Sequence, residues 1–144
     1  MEKVKIGKGQ RLKNGDDIAI LSIGHIGNLA LEASEILDNQ GIHAAVYDMR
    51  FVKPLDEVLL HEVFGKFKKV ITIEDGCIKG GMGSAILEFM AENDYQAQVK
   101  MLGVPDKFIE HGSQNELYKE CGYDVDSIVA TAESMVVKEA AATA

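Results

Sequence analysis

The chain has 144 residues, 47% of them hydrophobic and 26% charged, with a formal net charge of −8. That length suits one globular domain burying about 70% of the surface its unfolded chain exposes. The acidic balance opposes a nucleic-acid partner, because no basic patch offsets phosphate repulsion, and no apolar run approaches the roughly 20 residues a membrane helix needs. Residues 1–15 form a polar lead-in, with Lys3, Lys5, Lys8, Arg11 and Lys13 solvated,, a turn at Asn14-Gly15 and room for a short strand near Val4–Ile6 or Gln10–Leu12,. The domain proper runs over 16–138 and a fraying tail over 139–144,.

Within the domain, Asp17–Ile23 is a near-continuous apolar run, the mark of a buried strand,. Gly24-His-Ile-Gly27 turns the chain into a helix striped by Ile26, Leu29, Ala30, Ala33, Ile36 and Leu37, which Gly41 terminates,. His43–Asp48 is the next strand, and Pro54 falls where the first turn of a second helix tolerates it,. Leu55, Val58, Leu59, Val63, Phe64 and Phe67 give that helix its apolar stripe,. Val70, Ile71 and Ile73 make the central buried strand, followed by Gly76, Gly80, Gly81 and Gly83 and by a helix striped with Met82, Ala85, Ile86, Phe89 and Met90,. Gln98–Leu102 alternates and suits an edge strand, which Pro105 ends,. Ser113-Gln-Asn-Glu116 is a capping box opening a short helix that stops at Gly122,. Asp124 caps a last helix with Val125, Ile128, Val129, Ala132, Met135 and Val136 on one face,. Strands alternating with helices predict a three-layer α/β/α sandwich around a parallel sheet.

Ligands of open α/β sheets gather at the carboxyl ends of the strands. Those ends carry Ser22, Gly24 and His25; Asp48, Met49 and Arg50; Glu74, Asp75 and Cys77; Gly103 and Val104. A strand, a glycine turn and a helix N-terminus raise the question of a phosphate cradle. Gly81-Met-Gly83 begins the dinucleotide pattern, but Ile86 replaces its third glycine,. Gly76 and Gly81 begin a P-loop, but Met82-Gly83 replaces its Lys and hydroxyl residue, and Glu74-Asp75 repel an anion,. A tight turn letting the helix start close to the sheet or to a neighbour is the simpler reading. Cys77 with His25 and Asp48 or Asp75 has the composition of a thiol triad but no nucleophile elbow,. His111 reads as a hydrogen-bonded structural residue. His25, His43, His61 and His111 show no metal-ligand spacing,. Cys77 and Cys121 are isolated thiols, which fits a reducing cytoplasm,.

Several segments resemble the C-terminal domain of transketolase-like thiamine diphosphate enzymes. They are Ile6-Gly-Lys-Gly9; Ile18–Gly24 with Ala30-Leu-Glu-Ala33; Val46-Tyr-Asp-Met-Arg-Phe-Val-Lys-Pro-Leu-Asp56; Glu74-Asp-Gly76 with Gly80-Gly-Met-Gly-Ser84; and Leu102–Ser113 with Gly122-Tyr-Asp124. The stretch Gly103-Val-Pro-Asp-Lys-Phe-Ile-Glu-His-Gly112 is the most specific, and is similar to the 1-deoxy-D-xylulose-5-phosphate synthase family in particular. The resemblance runs from about Ile6 to about Val136. It implies five strands, mostly parallel, with one antiparallel edge strand from the Lys8–Leu12 region. It also implies a homodimeric parent whose upstream domains hold thiamine diphosphate and magnesium. No catalytic, cofactor or metal residue is expected in this chain itself, which would serve assembly. The expected domain or subunit contacts are Asp48, Arg50, Pro54, Glu74, Asp75, Gly80, Gly81, Gly83 and His111.

Overall fold

The computed structural model describes residues 8–23, 26–50, 54–77, 81–104 and 125–143. Five strands form one sheet: β1 (Gln10–Lys13), β2 (Ile18–Ser22), β3 (Ala44–Asp48), β4 (Lys69–Cys77) and β5 (Gln98–Val104). Around it lie α1 (Gly27–Asp38), α2 (Glu57–Lys66), α3 (Met82–Glu92) and α4 (Val125–Thr143). The strand order is β1-β3-β2-β4-β5. β2, β3, β4 and β5 run parallel, and β1 lies antiparallel on β3, with Gln10 opposite Asp48.

Alternation along the strands splits the core into two faces. Ile18, Ile20, Val46, Ile71 and Ile73 point toward α1 and α4, where they meet Ala30, Ala33, Leu37, Ile128, Ala132 and Met135. Ala19, Leu21, Ala45, Tyr47 and Val70 point the other way, against Leu60, Val63, Phe64 and Phe67 of α2 and Met82, Ile86 and Phe89 of α3. This is the three-layer sandwich, with a mostly parallel sheet and one antiparallel edge strand at the lead-in.

Gly41 follows α1 with φ +79°, the left-handed turn expected of a helix-ending glycine,. Other details depart from the pattern. The middle of the sheet is β2, all five of whose residues are buried, and β4 lies between it and the edge strand β5. β4 also continues past Ile73 through Gly76, its register on β5 shifting between Glu74 and Cys77. A bulge thus absorbs the glycine read as a turn. Asp56, with extended backbone, is the N-cap of α2, so Pro54 precedes that helix. The buried row is then Leu60, Val63, Phe64 and Phe67. Val58, about 200° around the helix from Leu60, is 71% exposed. Ile36, at the margin of the α1 stripe, is 38% exposed. α4 extends to Thr143 through residues read as a fraying tail, where Ala140, Ala141 and Ala142 have the best helix propensity,. The capping box Ser113–Glu116, Gly122 and Asp124 lie outside the described residues.

Candidate functional site

The carboxyl ends of β2, β3 and β4 form the rim where an α/β sheet offers its site. Connections from β2 lead to β3 on one side, and the chain then crosses to β4 on the other. The crevice of such a reversal lies between β2 and β4,. Its polar groups Ser22 and Glu74 are both buried. Ser22 Oγ donates to the Tyr47 carbonyl at 3.0 Å. Glu74 Oε2 accepts from the Gly83 backbone N–H at 3.2 Å.

That second bond bears on the phosphate question. The first N–H groups of α3 have no intrahelical partner and carry the positive end of the helix dipole. Gly81, the N-cap of α3, has no side chain to satisfy them. Glu74 does so instead, placing a carboxylate of the domain's own strand where an external anion would sit. Burial pushes the Glu74 carboxyl above its ordinary value, while the backbone N–H groups of Met82 and Gly83 pull the other way by favouring the ionised form,.

Gly83 faces the sheet. A methyl group there would lie 2.7 Å from Met101 Sδ and 3.0 Å from Thr72 Oγ1. Its smallness is therefore required inside the domain, where α3 rides close over β4 and β5. Gly81 is half-buried at the helix start. Gly80 and His111 lie outside the described residues, as do His25 and the side chains of Asp75 and Cys77, so the thiol triad has no described geometry. His43 sits at the opposite end of the sheet, bonded through Nδ1 to Asp38 Oδ1 at 3.0 Å. His61, on α2, pairs with the Tyr95 hydroxyl at 2.6 Å and meets Phe89 edge-on, with ring centroids 4.9 Å apart. Among the described residues no three His, Cys, Asp or Glu side chains converge as metal ligands. No buried side-chain polar atom among them lacks a partner.

At the β3 corner, Asp48 Oδ1 accepts from the Arg50 N–H at 3.0 Å. Arg50 takes a left-handed φ of +61°, and its guanidinium reaches the Gln10 side chain on β1. Pro54 is exposed. Sequence reasoning gave no role to Asp56. Its Oδ1 accepts from Leu59 N–H at 3.0 Å, capping α2, and its Oδ2 accepts from Gly9 N–H at 2.8 Å, anchoring the lead-in. The cap was readable as an Asp three residues before Leu59; the bond across 47 residues was not.

With this geometry in place, comparison with known proteins identifies the family. Residues 7–128 match the family described as "Transketolase, C-terminal domain". The chain belongs to that family. This transketolase C-terminal domain is 58% identical over 134 residues to the 1-deoxy-D-xylulose-5-phosphate synthase of Cytophaga hutchinsonii, covering 93% of this chain and 21% of the relative. It is 40% identical to the synthase of the same name from Bacillus mycoides, covering 94% of this chain and 22% of that protein. The domain thus spans about a fifth of the length of the curated relatives it matches. Among solved structures, a protein titled "Split gene transketolase, inactive beta4 tetramer" superposes with a TM-score of 0.86 at 34% identity, covering 94% of this chain and 44% of that one. Transketolase from Campylobacter jejuni shares the fold, with a TM-score of 0.60 at 19% identity, covering 89% of this chain and 18% of that one.

Proposed function

We propose that this domain is the C-terminal part of a 1-deoxy-D-xylulose-5-phosphate synthase. The parent decarboxylates pyruvate and joins the remaining two-carbon unit to glyceraldehyde 3-phosphate, at the start of the non-mevalonate isoprenoid pathway. It is a cytoplasmic homodimer. Thiamine diphosphate and magnesium belong to its upstream domains, and this domain is catalytically silent and serves assembly. The observation that carries the assignment is the 58% identity to a synthase of that name across 93% of the chain. The silent role draws support from Glu74, whose carboxylate takes up the α3 N-terminus. Asp48, Arg50, Pro54 and Gly81 remain our contact candidates on the rim, together with Asp75, Gly80 and His111. Glu74 and Gly83 contribute by fixing the turn from within.

An assay of the full-length parent tests the assignment. Supplied with pyruvate and glyceraldehyde 3-phosphate, it is expected to release carbon dioxide and form 1-deoxyxylulose 5-phosphate. Ketol transfer between sugar phosphates without decarboxylation would make the parent a transketolase. Transfer of an acetyl group to a lipoyl partner would make it a 2-oxo acid dehydrogenase β-subunit. Activity of neither kind would leave a binding module of the same fold.

A further inference from the structure

We infer that the corner formed by Gly9, Gln10, Arg50, Pro54 and Val58 is the surface on which the preceding domain of the same polypeptide seats. The inference rests on the reading above, that the parent carries domains before this one.

The first observation is where the chain enters. β1 is antiparallel to β3, and Gln10 lies opposite Asp48, so the lead-in arrives at the carboxyl-end rim. Seven residues precede Lys8, and a fully extended chain of that length reaches about 25 Å at most. Whatever is joined ahead of Met1 starts within that radius of this corner.

The second observation is that the entry point is fixed to the domain. Asp56 holds the Gly9 N–H at 2.8 Å. A methyl group on Gly9 would lie 2.8 Å from both the Asp48 carbonyl oxygen and Leu59 Cδ2. Arg50, in a left-handed conformation that is unfavourable for a non-glycine residue, is held by Asp48 and by Gln10 of the lead-in. A clamp of this kind transmits the position of one domain to the next.

The third observation is an apolar contact waiting at the same place. Val58 occupies the first turn of α2, between Asp56, which grips Gly9, and Leu59, which Gly9 abuts. At 71% it is the most exposed large hydrophobic residue among those described. Pro54, four residues earlier in the chain, is exposed, and half-buried Arg50 follows Met49, whose Cα lies beside Gly9. Arginine is enriched at interfaces over the rest of a protein surface, so Arg50 beside an exposed apolar side chain suits such a contact. Relatives about five times as long as this chain supply an occupant of the right size.

The test uses the full-length parent carrying Val58→Cys, with Ile36→Cys as the control toward the amino end of the sheet. Each is reacted with a maleimide, and the modified peptide is followed by mass spectrometry. Val58 is the more exposed of the two in this domain, 71% against 38%, so free surfaces would label Val58→Cys faster. The expected result is the reverse, with Val58→Cys at least about tenfold slower than Ile36→Cys because the contact excludes the reagent. A diazirine amino acid incorporated at position 58 during synthesis, in a mixture of heavy- and light-isotope subunits, then names the occupant. Crosslinks to upstream peptides of the same isotope are expected. Mixed-isotope crosslinks would assign the surface to a second copy and overturn the inference, as would labelling as fast as the control. Neither readout involves turnover, so a parent that fails the carboligation assay yet shows slow labelling and same-chain crosslinks refutes the activity and leaves the surface standing.

Discussion

Gly83 and Glu74 show how differently single residues at one turn announce themselves. Glycines at positions 76, 80, 81 and 83 are conspicuous in the sequence, and their spacing begins two phosphate motifs. Only packing tells what Gly83 is for. Its missing side chain makes room for Met101 Sδ and Thr72 Oγ1, two residues on neighbouring strands. A β-branched residue there would meet both. Gly83→Val is therefore expected to destabilise the domain by about 2 kcal/mol, within the usual range for overpacking a filled site, read as a shift in the urea midpoint. Adding Met101→Ala should recover part of that loss, because it removes the nearer obstacle. Equal stability of Gly83→Val and the natural chain would contradict this account of the close approach.

At the scale of elements, the strand–turn–helix unit of β4 and α3 was legible in outline. Continuous β-branched residues and the i, i+3, i+4 stripe located both. The alternation of Gln98–Leu102 likewise located the edge strand β5, and the resemblance located β1. Two things were not legible: that Glu74 would turn back to cap the next helix, and that Asp56 would bind Gly9. Both are contacts between segments that meet only after folding, and a local pattern carries no record of them. The Glu74 cap has a consequence in pH. Burial raises the carboxyl above its ordinary value of 4.5, so the folded chain holds this proton more tightly than the unfolded one. The group's contribution to stability is then most favourable below the unfolded value and is lost as pH rises through the folded one. Glu74→Gln keeps an acceptor for Gly83 but does not titrate. As pH rises above the ordinary value of 4.5, natural-chain stability should fall relative to Glu74→Gln, measured by urea unfolding of both. A difference growing in the natural chain's favour with rising pH would reverse the assigned cause. Asp16 and Asp38 shift the opposite way, held down by Lys66 and by Lys13 and His43 respectively. They are present in both proteins, so their acid-side contributions cancel in the comparison.

For the molecule as a whole, the sandwich and the family were both readable from the chain. The mismatches lie on its surface. Val58 counted as a core residue by period, yet the α2 cap at Asp56 sets the helix rotation that leaves it 71% exposed. If Val58 meets the preceding domain as we infer, a contact surface looks, in one domain's sequence, like a slight fault in its periodicity. The observations behind the proposed role are a helix N-terminus met by the domain's own Glu74 carboxylate and an exposed Val58 on the helix whose cap holds the entry residue Gly9. In our proposal the domain joins, and leaves the chemistry to the rest of the enzyme. Isothermal titration of the chain alone with thiamine diphosphate and magnesium, alongside the full-length parent, tests that claim most directly. Saturable heat is expected from the parent and none from the chain; saturable binding by the chain alone would contradict a silent domain.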